Sequence, residues 1–178
     1  MQVVEDQQGQ AVEAKQGQIK ITVCLSLSGI AEGGEEVYKE FQKQISEMEA
    51  NAALGERKCE MGQVGCRGYC SRDVLVDVYV PGEERVTYEK VKPAMVKNIL
   101  NDHIVGGKPF KKAAAKEDYY QTLKKQTRVA LAHGGSIDPE NIGDYIQVGG
   151  YESLKKVLST MKPEDVIAVY YKHLRDNA

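Results

Sequence analysis

Gly65-Cys66-Arg67-Gly68-Tyr69-Cys70 sets two thiols four positions apart, with glycine on both sides of the first. Side chains at that spacing can reach one metal centre from a tight loop, and glycine lets the backbone curl close to it. All four cysteines of the 178-residue chain, Cys24, Cys59, Cys66 and Cys70, lie in its first half. No Cys-x-x-Cys pair is present, which disfavours a thiol–disulfide enzyme. A cysteine-ligated iron–sulfur cluster is the sharpest reading of these residues. A four-thiol zinc site uses the same atoms.

Outward from the loop, Val74-Leu75-Val76-Asp77-Val78-Tyr79-Val80 is the strongest β segment of the chain. Pro81 to Glu84 reads as a turn and Arg85 to Tyr88 as the returning strand of a hairpin. Upstream, Ile19, Ile21 and Val23 alternate with polar residues, so Cys24 is expected at a strand's end, entering a loop from Leu25 to Gly34. Val37, Phe41, Ile45 and Met48 recur at helical spacing. Asn51 to Arg57 breaks that pattern, and Cys59 falls on a strand leading to the cysteine loop. Pro93 suits the first turn of a helix carrying Val96, Ile99 and Leu100, with Gly106-Gly107 as its stop. The order describes a compact α/β unit on a small mixed sheet over residues 19–110, after a disordered lead-in over 1–18.

Residues 111–178 read as a Lys/Ala-rich linker and short helices. Tyr119, Tyr120 and Leu123 suggest a helical turn, Asp138-Pro139-Glu140 a helix start, and Pro163 the first turn of a last helix. Such helices bury little surface alone and suit a pad that docks on something else.

Composition excludes several classes. With 24 basic and 26 acidic residues the net charge is −2, which leaves no polybasic surface for nucleic acid. No apolar run approaches the ~20 residues that cross a bilayer. The first residues lack a cationic-then-apolar export signal, so a cytoplasmic location is expected. The Gly-Gly pairs at 33–34, 106–107, 134–135 and 149–150 form no G-x-G-x-x-G after a strand and read as helix stops. His103 and His173 read as capping or solvated, and His133, before Gly134-Gly135, as a weak candidate for function.

From Cys24 through the Cys66/Cys70 loop to His103 and Gly106-Gly107, the chain resembles a thioredoxin-like 2Fe–2S ferredoxin domain. From Lys125-Gln126 through Ile137-Asp138-Pro139-Glu140 and Gly149-Gly150-Tyr151 to Pro163-Glu164-Asp165-Val166-Ile167, it resembles the lead-in to the NADH-binding flavoprotein subunit of complex I. The relatives of that subunit include β subunits of NAD-dependent and electron-bifurcating hydrogenases and formate dehydrogenases. The resemblance implies a 2Fe–2S cluster in a multi-subunit oxidoreductase, passing electrons between flavin and other clusters. It implies FMN and NAD only in a partner or in a downstream domain, since the chain stops where the family opens its flavin loop. It also implies that this chain does not turn over NADH alone.

Three family ligands match Cys24, Cys66 and Cys70. The family's remaining thiol position is Gly29 here, and its Gly-Pro after the last cysteine is Asp73-Val74. Cys59 is the spare thiol, and Ser26 and Ser28 are the nearby hydroxyls. Gly29→Cys is expected to complete the set. A cluster-free scaffold that docks subunits is the competing reading.

Overall fold

The computed structural model describes residues 18–176. The expected lead-in therefore lies outside the described residues except for Gln18, which opens the first strand. Strand β1 (Gln18–Cys24) is followed by α1 (Leu27–Ala31), α2 (Gly34–Ala50), β2 (Lys58–Val64), β3 (Val76–Tyr79), β4 (Val86–Tyr88) and α3 (Pro93–Ile99). The four strands form one mixed sheet in the order β2-β1-β3-β4. β1 runs parallel to β2 and antiparallel to β3, and β3 is antiparallel to β4.

β1 is central, so both of its faces are covered towards its end, and Thr22 and Cys24 are buried beside Ile21 and Val23. The helical stripe of α2 turns Val37, Phe41 and Ile45 into the core, with Met48 partly buried at its edge. α2 packs beside α3, whose Val96 and Ile99 join the same cluster. Fully burying an aliphatic or Phe side chain stabilises by ~1.5–3 kcal/mol, so this cluster holds the unit together. Pro93 stands at the first turn of α3, where its missing N–H costs nothing. The helix then widens into a π turn over Leu100–Val105 before Gly106 and Gly107 close it.

The expected loop between Cys24 and Gly34 contains a five-residue helix, α1, because the Ser26 hydroxyl caps it by accepting from the Gly29 N–H. The expected helix start at Asp138-Pro139-Glu140 moves to Ile142, where the Asn141 side chain accepts from the Gly143 N–H.

The first compact unit ends at Asp138 and the second begins at Pro139. Residues 113–115 add to the free edge of β4, with Glu89 N–H donating to Ala113 and Ala115 N–H to Thr87. Helix α4 (Glu117–Lys124) buries Tyr119 and Leu123 in the same unit. The second unit consists of α5 (Ile142–Gln147), α6 (Glu152–Thr160) and α7 (Pro163–Asp176). α5 and α6 bury no residue. Ile142, Leu158 and Tyr171 are 65%, 78% and 65% exposed, as expected for short helices without a core of their own. Among the described residues no helix is long and apolar enough to cross a membrane.

Candidate metal centre

The cysteine loop folds as the glycine spacing suggests. Gly68 adopts φ +84°, a conformation that side-chained residues rarely take, with open space where a Cβ would stand. The turn brings the Cys66 and Cys70 Sγ atoms to 3.5 Å. The Gly68 N–H donates to Cys66 Sγ at 3.3 Å, placing a backbone dipole on the sulfur. Cys66 is half-buried and Cys70 exposed, so the pair sits at the surface. The hydrogen bond between the two thiols, then the charge of Cys66, raises the Cys70 pKa. Two sulfurs at this separation suit adjacent corners of one tetrahedral iron.

Cys24 closes β1 and is buried. Its thiol donates to the Ser26 hydroxyl at 3.4 Å and to the Gly65 carbonyl at 3.9 Å, the latter one residue from Cys66. Burial pushes this thiol up, and the negative charge of Asp73 adds to the effect. Ser28, on α1, donates its hydroxyl to the Cys70 carbonyl at 3.5 Å. The two halves of the site thus meet through α1 and the Cys70 turn.

Gly29 is buried, and a Cβ added there collides with the carbonyl oxygen of Cys24. Helix α1 lies directly on the end of β1, so a thiol at 29 does not complete the set without moving backbone. Cys59 is not brought to the other cysteines either. In the parallel register it faces Ile19, whereas Cys24 faces Val64. Five residues along a strand separate it from the Cys24 end by ~17 Å. It packs against the main core, and burial lifts its thiol to about 11.

Beneath the loop lies an ion network that the sequence reading missed. Arg67, between the paired cysteines, is 4% exposed and meets the fully buried Asp77 of β3 at 2.7 Å. Asp77 also accepts from Thr87 Oγ1 at 2.7 Å, with Arg85 3.9 Å away. Burial alone raises the Asp77 carboxyl, but Arg67 and then Arg85 hold it below its ordinary value. Arg67 further donates to Tyr119 and to the Gly135 carbonyl, and Arg128 donates to the Arg67 carbonyl. A Cβ on Gly134 would press on the Cys66 carbonyl. The segment from Arg128 to Gly135 is therefore clamped to the cysteine loop by side chains distant in sequence. The available signal was Asp77 itself, a lone charge in the most apolar strand, which needs a buried partner.

Asp73 follows the short 3₁₀ turn that begins at Cys70, and its N–H donates to the Cys70 carbonyl at 3.1 Å. It is 6% exposed, and neither carboxylate oxygen has a hydrogen-bond partner. His103 is not solvated as expected but buried, with Nδ1 2.9 Å from the Tyr88 hydroxyl. His133 sits in a turn, its carbonyl accepting from Ser136. Among the described residues no three His, Cys, Asp or Glu side chains converge closely enough to enclose a metal ion. The residues nevertheless supply three thiols, one pair already at iron-sharing distance, and oxygen donors around them. An iron–sulfur cluster bound here would be held by Cys24, Cys66 and Cys70, and no fourth thiol is brought to them among the described residues.

The family model for the thioredoxin-like [2Fe-2S] ferredoxin matches residues 11–103, and the chain belongs to that family. The fold class is accordingly thioredoxin-like α/β. Over 46 residues the chain is 56% identical to the NADP-reducing hydrogenase subunit HndC of Solidesulfovibrio fructosivorans, covering 26% of this chain and only 9% of that relative. It is 25% identical to the subunit HndB of the same organism over 96 residues, 54% of this chain and 71% of HndB. A solved thioredoxin-like [2Fe-2S] ferredoxin from Aquifex aeolicus is 23% identical, with a TM-score of 0.47 over 56% of this chain and 97% of that one.

Proposed function

We propose that this chain is an electron-transfer module of a multi-subunit, hydrogenase-like oxidoreductase that holds a 2Fe–2S cluster at the end of β1. The observation that carries the reading is the Cys66–Cys70 pair, 3.5 Å apart on a glycine-turned loop at the surface. Membership in the ferredoxin family and likeness to two subunits named for an NADP-reducing hydrogenase support it. When bound, such a cluster accepts and releases one electron at a time.

The chain's own residues hold and tune the site. Cys66 and Cys70 would hold the cluster from the loop, and Cys24 would hold it from the end of β1. The Gly68 N–H, donating to Cys66 Sγ, stabilises the more negative state and so raises the potential. Arg67 and Asp77 fix the loop from below, so the sulfurs keep their separation as charge changes. Exposure of Cys70 gives an electron a short path to a partner. FMN and NAD belong to a partner or a further domain. The exposed apolar residues of α6 and α7, among them Leu154, Leu158, Ile167 and Tyr170, are the docking surface for other subunits.

Affinity purification of the tagged chain from its own cells, under anaerobic conditions, tests this directly. Flavoprotein or hydrogenase subunits should co-purify, and hydrogen or reduced nicotinamide should reduce the cluster's paramagnetic signal into view in the complex but not in the isolated chain. A chain recovered alone and free of iron contradicts the proposal. A second reading, a cluster-free docking scaffold, draws on the closed backbone at Gly29 and predicts partners without iron.

A further inference from the structure

The site offers three thiols to a cluster that needs four ligands, and the fourth family position is sealed by the contact between Gly29 and the Cys24 carbonyl. Close to the thiols stands a carboxylate that the fold leaves unsatisfied. Asp73 is 6% exposed and both of its oxygens are buried without a hydrogen-bond partner. Buried charges are normally paired or bound to a metal, because an uncompensated one is costly. Arg67 and Arg85 are engaged with Asp77, and Arg72 with Glu89 and Asp118, so the nearby guanidinium groups serve other carboxylates.

Asp73 lies three residues after Cys70, hydrogen-bonded through its N–H to the Cys70 carbonyl. The two residues share the wall of a cavity of about 310 Å³ that Lys90 and Lys92 also line. Two residues further on, the Leu75 carbonyl accepts from the Cys24 N–H at 2.9 Å, so the segment carrying Asp73 runs from the Cys70 turn to the Cys24 end of β1. Asp73 is therefore carried on the segment that joins the two halves of the site.

We propose that Asp73 supplies the fourth ligand, giving a 2Fe–2S cluster held by Cys24, Cys66, Cys70 and one carboxylate oxygen. The inference rests on the cluster reading above and extends it to the identity of the missing donor. An oxygen ligand is harder than thiolate and suits ferric iron better than ferrous, so it favours the oxidised cluster. Ligation also resolves the unpartnered carboxylate, since the metal's positive charge takes the place of a hydrogen-bond donor.

The test uses the full chain, purified anaerobically, with Asp73→Ala, Asp73→Cys and Ser28→Ala compared with Cys66→Ser. Asp73→Ala should shorten the half-life of the cluster against a chelator at least ~10-fold. It should at the same time leave the metal-free chain as stable as the parent or more so, because it removes an unsatisfied buried charge. Asp73→Cys should keep both irons but shift the visible absorption bands and the g-values of the reduced state. Full iron with unchanged spectra in both Asp73 variants, while Cys66→Ser loses it, overturns this proposal and leaves the cluster reading standing. Loss of iron in Ser28→Ala but not in Asp73→Ala overturns it in favour of the hydroxyl. A folded parent chain without iron overturns both.

Discussion

Arg67→Met probes the anchor beneath the cysteine loop. Arg67 and Asp77 are 4% and 0% exposed and 2.7 Å apart, so neither charge has water to replace its partner. Two unit charges with centres ~4 Å apart interact by about 4 kcal/mol at an effective dielectric of 20. Removing one member of a buried pair costs ~3–5 kcal/mol, because the other stays charged in the interior. Arg85 and the Thr87 hydroxyl still face the Asp77 carboxylate. Their compensation places the expected loss at the lower end, ~3 kcal/mol. With a urea m-value of about 2 kcal/mol/M the unfolding midpoint falls by roughly 1.5 M. The double variant Arg67→Met/Asp77→Asn should lose less than the sum of the single changes, since it removes the stranded charge. The same substitution frees the Gly135 carbonyl from Arg67, so proteolysis between Arg128 and Ser136 should accelerate. A loss below ~1 kcal/mol at unchanged m, with strict additivity, refutes the network as the loop's anchor.

Three further outcomes follow from the geometry. Gly29→Cys should destabilise by ~1–3 kcal/mol without adding iron, because its side chain meets the Cys24 carbonyl; more iron at unchanged stability contradicts this. Cys59→Ser should leave iron content and spectra as they are, since the register sets it beside Ile19; iron loss contradicts that placement. Burial lowers the His103 pKa below its ordinary 6.5 against the opposing pull of Glu83, so the fold favours the neutral ring. That contribution is complete above 6.5 and is lost as pH falls through the depressed value. The urea midpoint should therefore drop as pH falls below about 6.5, less steeply in His103→Gln, and equal slopes contradict the assignment.

The elements legible in the sequence are those whose pattern is local. Ile19, Ile21 and Val23 alternate, and Val37, Phe41 and Ile45 recur at helical spacing; each set lies in the core as expected. The Pro81–Glu84 turn joins the paired strands β3 and β4. Helix α1 was hidden because five residues including serine and glycine carry no periodicity, and only the Ser26 cap marks its start. The edge addition at residues 113–115 and the clamp over 128–135 arise from contacts distant in sequence, which no local window contains.

The site divides in the same way. The Cys66–Cys70 pair is a local feature and was read from its glycines. Whether Cys59 reaches it depends on strand register, and a one-dimensional pattern does not contain the register of two parallel strands. The absent thiol at position 29 was visible, but not that α1 closes on the backbone there. Asp73 was visible as a departure from the family, yet its meaning needed the burial of both oxygens.

The central claim is that Cys66 and Cys70 share an iron of a 2Fe–2S cluster. Iron and acid-labile sulfide determined on the anaerobically purified full chain, with electron paramagnetic resonance after reduction, test it most directly. The account predicts about two irons and two sulfides per chain with a spin-one-half signal. Both should be lost in Cys66→Ser and in Cys70→Ser, whose harder oxygen suits this soft centre poorly. A folded parent chain without iron, or unchanged iron and spectra in both variants, contradicts it.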